Sequence, residues 1–365
     1  MITFQLERIC TIMEPEAGND LEVEGVLNPA ATRGPDGELY LFPRLVAKNN
    51  YSRIGIARVK FNDAGDPIGV ERLGVALEPE AEYEKRPDGG GGCEDPRVTY
   101  VETLEHYFMT YTAFGPNGPR IAVARSKDLL NWERLGLVKY KVYKDIDFNG
   151  VDNKDASIFP EIIMSPKGHP SIGMLHRPLF SGSRPEETVE CEKCREIDTH
   201  KESIWISYYN LGEDLTIEYA KFTSNHRLAI PQKDWENLKI GAGAPPLLTK
   251  LGWLVVYHGV HELPDSTEAH RKLCYSAGAM ILSEKNPQNV IYRSAKPILT
   301  PELPEETIGT IANVVFPTGI DRRDDIGQPN RIDVYYGMAD NRIGVAKMQI
   351  PDELPKSNPS VIVGK

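Results

Sequence analysis

The sequence predicts an all-β fold, a five-bladed β-propeller with one central pocket, built as a single domain over residues 1–365. Two observations carry this expectation. A three-part phrase returns five times at a spacing of about 70 residues, and several strands per unit at that period is the signature of propeller blades. Helical periodicity with caps is scarce, the best candidates being short pieces near residues 126–132 and 301–307.

Each repeat opens on a short segment with a proline close to a turn. The openers are Asn28-Pro29-Ala30, Glu94-Asp95-Pro96-Arg97, Ser157-Ile158-Phe159-Pro160, Gly243-Ala244-Pro245-Pro246 and Val315-Phe316-Pro317-Thr318. A second strand, rich in aromatic and β-branched residues, begins near Leu39, His106, Ser171, Gly252 and Ile332. A third ends in small residues and, in three of the five, a charge, at 54–58, 121–125, 204–208, 276–280 and 343–347. Turn signals such as Pro116-Asn117-Gly118 separate the strands. The interval from Ile121 to Ile204 is longer than the others, and a polar stretch at 181–201 reads as a surface insertion in the third unit. Gly89 to Gly92, just before Cys93, admits positive φ and close backbone approach; the other reading is a flexible loop tip. Blades aim their first strands at one channel, so the five openers are expected to converge.

Composition bounds the partners. The chain carries a formal charge of −11, which argues against nucleic acid or an anionic membrane. No run approaches the ~18 apolar residues of a membrane span, and Met1-Ile-Thr-Phe-Gln-Leu-Glu-Arg8 lacks a secretory pattern, so a cytoplasmic location is expected. Five cysteines, an odd and sparse set, suit a reducing compartment. Cys191-Glu-Lys-Cys194, with His200 nearby, has no second ligand pair and reads as a solvated loop, so no metal is expected.

Taken as pocket lining, the openers supply Asn28, Asp95, Arg97, Lys154 and Asp155, and adjoining strands add Arg44, His176, Arg177, Tyr257, His258 and Asp340. Arg120 opens the third strand of the second unit near the same end. Such a mixed-charge set, rich in planar donors, suits a polyhydroxylated ligand together with an anion. Asp95 is the leading candidate for proton transfer; beside Glu94 and apolar walls its pKa is expected to rise. The bland reading keeps Asp95 as a turn cap paired with Arg97, Lys154 paired with Asp155, and His176 as a core histidine. Tyr107, Tyr111, Trp205, Trp253, Tyr257, Tyr335 and Tyr336 could stack on sugar faces, about half of them filling space between blades instead. No nucleophile-elbow, P-loop or dinucleotide motif is present.

Glu94-Asp95-Pro96-Arg97, the stretch 107–113, Arg120-Ile-Ala-Val-Ala-Arg125, Lys154-Asp-Ala-Ser-Ile-Phe-Pro160, His176-Arg177-Pro178 and Tyr335-Tyr-Gly-Met-Ala-Asp340 together resemble glycoside hydrolase family 130, in order, from about Asn28 to Lys347. The resemblance implies a five-bladed propeller acting on β-mannosides, most members being inverting phosphorylases that release α-mannose 1-phosphate reversibly and some being hydrolases. By the same resemblance Asp95 is the general acid, acting through a mannosyl hydroxyl. Arg120, Lys154 and His176, with Arg177 beside them, are the phosphate-facing cations, and Asn28 and Asp340 contact the mannosyl ring. The partners implied are a mannoside oligosaccharide and inorganic phosphate, with no organic cofactor; oligomeric state and the β-1,2 or β-1,4 linkage stay open. An inverting glycosidase needs a second carboxylate to activate water, whereas phosphate arrives as an anionic nucleophile and needs a cationic cradle. Two rivals remain: a β-mannosidase using Glu161 or Glu262 as base, and a non-catalytic glycan-binding propeller.

Overall fold

A computed structural model describes residues 4–86, 89–143, 146–180, 201–212, 221–267 and 270–355. The insertion expected at 181–201, with Cys191 and Cys194, lies outside the described residues apart from Lys201. The fold is all-β, with strands following one another in five antiparallel units of four. The first comprises Gly25–Arg33, Leu39–Ala47, Tyr51–Phe61 and Pro67–Leu77, and the second Gly91–Val101, His106–Gly115, Gly118–Ser126 and Glu133–Leu137. The third comprises Asp152–Ile158, Pro170–Leu179, Ile204–Asn210 and Lys221–Ala229, and the fourth Lys239–Ala242, Gly252–Glu262, Leu273–Leu282 and Val290–Arg293. The fifth takes Val315–Arg322, Arg331–Met338 and Arg342–Gln349, and its outer strand is Glu7–Met13 from the other end of the chain.

The predicted second strands start within one residue of their expected positions, and all five third strands contain the predicted runs. Of the two helical candidates, Pro304–Thr307 forms a single turn. Residues 126–132 form a bend instead, because Ser126 and Asp128 side chains take up the backbone N–H groups of Leu129, Leu130 and Asn131.

The first strand of each unit is innermost. Gly25–Arg33 packs beside Gly91–Val101, which packs beside Asp152–Ile158; that strand meets Lys239–Ala242, and Val315–Arg322 returns to Gly25–Arg33. Five apolar clusters lie between consecutive units, the last joining the fifth to the first through Ile12, Val26, Tyr335 and Val345. Each sheet is therefore buried on both faces, which explains why its middle strands read as continuous apolar runs rather than alternating ones. All seven aromatics considered for sugar stacking sit in these clusters. The glycine run proves to be a close approach: Gly91 and Gly92 pair in parallel with Tyr51 and Ser52, and a Cβ on Gly92 would overlap the Ser52 carbonyl oxygen.

A repeat not apparent beforehand ties connections to units. The stretches 79–84, 231–236 and 301–306 each run from proline to a fully buried glutamate. In each, Glu84, Glu236 or Glu306 accepts from two backbone N–H groups and from a second-strand tyrosine (Tyr111, Tyr257 or Tyr336), and forms an ion pair with an outer-strand arginine (Arg134, Arg293 or Arg8). Charge, two backbone donors and a phenol leave no lone pair stranded, which is what makes a buried carboxylate tolerable. Arg8 fills the arginine place of the fifth unit although it comes from the start of the chain. Among the described residues no helix is long and apolar enough to cross a membrane.

Candidate active site

The innermost strands deliver their polar residues by one local device. The strand register shifts between Leu27 and Ala30, between Glu94 and Arg97, and between Lys154 and Ser157, marking a bulge at the same place in the first three units. At each bulge sits a non-glycine residue with left-handed backbone: Asn28 at φ 46°, Asp95 at 47° and Asp155 at 55°. Asn and Asp accept this conformation better than other side chains, and a bulge re-aims the residue it carries. The prolines after Asn28 and Asp95 would ordinarily push their predecessors into extended backbone, so the bulge overrides a local preference. Asp340, at φ 48°, joins them from a turn in the fifth unit.

These four residues line one cavity of about 810 Å³, together with Arg44, Lys154, Arg177, Lys239 and Tyr275. Its rim is completed by the segment 310–314 and by Arg271, Lys272 and Leu273. Asp95 accepts a hydrogen bond from Asn28 Nδ2 at 2.9 Å and lies 3.4 Å from Arg44 Nη1. Arg44 also reaches the buried Glu94 at 2.9 Å, and Lys154 Nζ lies 3.6 Å from the same carboxylate and over the Phe114 ring. Deeper, Asp155 accepts from Arg177 Nε at 2.5 Å, with Arg97 and His258 each 3.6 Å away. Lys239 sits 5.5 Å above the Tyr275 ring and has no carboxylate within ion-pair distance among the described residues.

Charge sets the protonation states. Burial would raise the Asp95 carboxyl, but Arg44, Arg97, Lys154 and the Asn28 hydrogen bond outweigh it and hold the group below its usual range. The expected upward shift at Asp95 is therefore not found. Asp340 moves the other way, to about 6, because burial and the nearby Asp95 and Glu94 outweigh Arg44 and Lys154. Two carboxyls lining the same cavity are thus driven apart in acidity, a common arrangement where protons are handled.

The site residues anticipated from sequence divide clearly. Asn28, Arg44, Asp95, Lys154, Asp155, Arg177 and Asp340 come together. Arg120 does not: it pairs with Asp152 and lines a separate groove of about 650 Å³ with Tyr140 and Phe148. His176 does not either. It is fully buried against Tyr140, bonded to Asn153 and to Ser207 Oγ at 2.7 Å, and burial pushes it down to about 3, so it is a neutral core histidine. Tyr257 turns away to donate to Glu236, while His258 forms a layer behind Asp155, neutral and stacked 4.3 Å from Phe316. Neighbours on a strand without a bulge point to opposite faces, and the register is unbroken at His176 and at Tyr257–His258, so His176 and Arg177, like Tyr257 and His258, face opposite ways. Lys239, Tyr275, Glu94 as the buried counter-charge and the 310–314 rim were missed. Glu161 and Glu262 are exposed and absent from the cavity lining.

Comparison with known proteins shows the family. Residues 6–354 match the family described as beta-1,4-mannooligosaccharide phosphorylase, glycoside hydrolase family 130. The chain belongs to that family. It is 32% identical over 349 residues to a 1,2-beta-oligomannan phosphorylase from Thermoanaerobacter sp. strain X514, covering 93% of this chain and 95% of that protein. It is 38% identical over 271 residues to the beta-1,4-mannooligosaccharide phosphorylase of Ruminococcus albus, covering 73% and 66%. The crystal structure of a beta-1,2-mannobiose phosphorylase from Listeria innocua, in complex with beta-1,2-mannobiose, superposes with a TM-score of 0.68 at 22% identity, covering 94% and 97%, a likeness of fold.

Proposed function

We propose that this member of glycoside hydrolase family 130 cleaves β-mannosides with inorganic phosphate, inverting the anomeric centre to release α-mannose 1-phosphate. In this reading the five units are propeller blades and the cavity lies on their common axis. The observation that carries it is one cavity holding Asp95 with Arg44, Lys154, Arg177 and Lys239. Phosphate attacks the anomeric carbon from the face opposite the leaving sugar; the C1–O bond breaks as the new C–O(phosphate) bond forms, and the leaving oxygen takes a proton that originates on Asp95. Lys154, Arg177 and Lys239 hold the phosphate oxygens, replacing Arg120 and His176 in that role, while Asn28, Arg44 and Asp340 orient the mannosyl ring. The names of the full-length relatives support the substrate class. The surface positions of Glu161 and Glu262 disfavour hydrolysis through either as base.

Incubation with α-mannose 1-phosphate and a panel of sugar acceptors tests the reading. A β-mannosyl disaccharide with stoichiometric phosphate release is expected, and its linkage identifies the natural bond. Cleavage of mannosides at equal rates with and without phosphate would instead make the protein a hydrolase.

A further inference from the structure

Asp340 reaches the cavity from the tight turn between Arg331–Met338 and Arg342–Gln349. Asn341 N donates to Met338 O at 3.0 Å, closing a turn whose two central residues, Ala339 and Asp340, have φ of 47° and 48°. Left-handed backbone at both central positions is the type I′ geometry, which favours Asn-Gly or Gly-Gly. Aspartate tolerates it. Alanine does so poorly, because its Cβ crowds the next carbonyl and it has no polar group to compensate.

Neighbouring segments impose the conformation. Ala339 N donates to Val314 O at 3.1 Å, Ile311 N donates to Ala339 O at 3.2 Å, and Val26 N donates to Asn341 O at 3.0 Å. Two glycines permit this approach: a Cβ at Gly309 would overlap the Ala339 carbonyl oxygen, and one at Gly25 would lie 3.1 Å from that of Asp340. The segment 309–314 is itself tied down, since Val314 N donates to the carbonyl of the clasped Glu306 at 3.0 Å. The turn is held from both sides, and unfavourable backbone persists where its surroundings over-determine it.

We propose that Ala339 is a positioning residue: held left-handed between Gly25 and the 309–314 segment, it fixes the direction from which Asp340 meets the sugar. This rests on the phosphorolysis reading above. Glycine in place of Ala339 keeps the same turn without the crowded Cβ but widens the accessible backbone, so Asp340 loses its single aim while the fold is eased.

The experiment is Ala339→Gly, read by melting temperature and by phosphorolysis kinetics. The melting temperature should be unchanged or raised by about 1–2 °C. The kcat should fall by roughly tenfold or more, since small misplacements at a reacting centre are costly. KM for phosphate should move by less than about twofold, because Lys154, Arg177 and Lys239 stand on other units. Glu105→Gly, an exposed left-handed residue at φ 52° outside the cavity, is the control and should leave kcat alone. Wild-type kcat in Ala339→Gly would overturn the proposal, as would lost activity accompanied by several degrees of lost melting temperature. Absence of phosphorolysis in the wild type would overturn the underlying reading instead, and is seen before any variant is made.

Discussion

Asp95→Asn is expected to lower phosphorolysis by about 10²–10⁴-fold, the usual range for losing a general acid. The asparagine keeps the shape of the group and can still meet Asn28, and Arg44 retains Glu94 as a partner, so the fold should survive. A variant keeping more than about a tenth of wild-type turnover would remove Asp95 from the proton path. The carboxyl that moves to about 6, Asp340, would then be the candidate.

A second expectation follows from how Asp95 is held ionised. Arg44, Arg97 and Lys154 lower its pKa, and a phosphate anion seated on Lys154, beside Arg177 and Lys239, cancels part of that field. Phosphate binding should therefore be accompanied by proton uptake, which readies the acid just as the nucleophile arrives. Titration calorimetry near pH 5, in two buffers of different ionisation enthalpy, measures it. Uptake that is absent, or equal in wild type and Asp95→Asn, would contradict the coupling.

The largest effect on stability is expected at Asp155. Its carboxyl is buried with Arg177 at 2.5 Å and Arg97 and His258 at 3.6 Å; Arg97 otherwise meets backbone carbonyls, the Phe316 ring and the charge of Asp95, and Arg177 also pairs with Glu202. Asp155→Asn takes the paired carboxylate from buried Arg97 and leaves Arg177 with Glu202 alone, a loss of about 3–5 kcal/mol by analogy with broken buried pairs. Burial would raise its pKa, but Arg177, His258 and Arg97 depress it far below the ordinary carboxylate value. A depressed acid stabilises fully above its unfolded pKa of about 4 and loses that contribution only as pH falls towards the folded value. The deficit of the variant should accordingly be full at neutral pH and shrink in strong acid. A urea midpoint shift with unchanged slope reports it; a loss below about 1 kcal/mol would mean that Glu202 and the backbone already satisfy the arginines.

Much of this was legible in the chain. Proline-marked openers, aromatic second strands and small-residue third strands gave five units with accurate boundaries, since those choices are local: turn chemistry and β-branched runs act within a few residues. Asn28, Asp95 and Asp155 were legible as cavity-lining residues for the same reason, standing beside turn-like phrases that fold into bulges. Arg120 and His176, grouped with the others by type and neighbourhood, do not line that cavity. The direction of a side chain depends on which face of the strand it occupies, and a single bulge reverses that alternation.

From sequence alone, then, come the repeat, the all-β class and a carboxylate, Asp95, that its own strand carries into the cavity. The cation set facing it was decided only in three dimensions. Lys154, Arg177 and Lys239 come from three different strands, and Lys239 carries no motif at all. So was the protonation of the carboxyls: Asp95 and Asp340 are chemically the same group, yet burial beside Asp95 and Glu94 makes Asp340 the weaker acid, whereas Arg44, Arg97 and Lys154 outweigh burial at Asp95 and make it the stronger. Local propensity acts along the chain, whereas the electric field at a carboxylate sums over charges that only folding brings near.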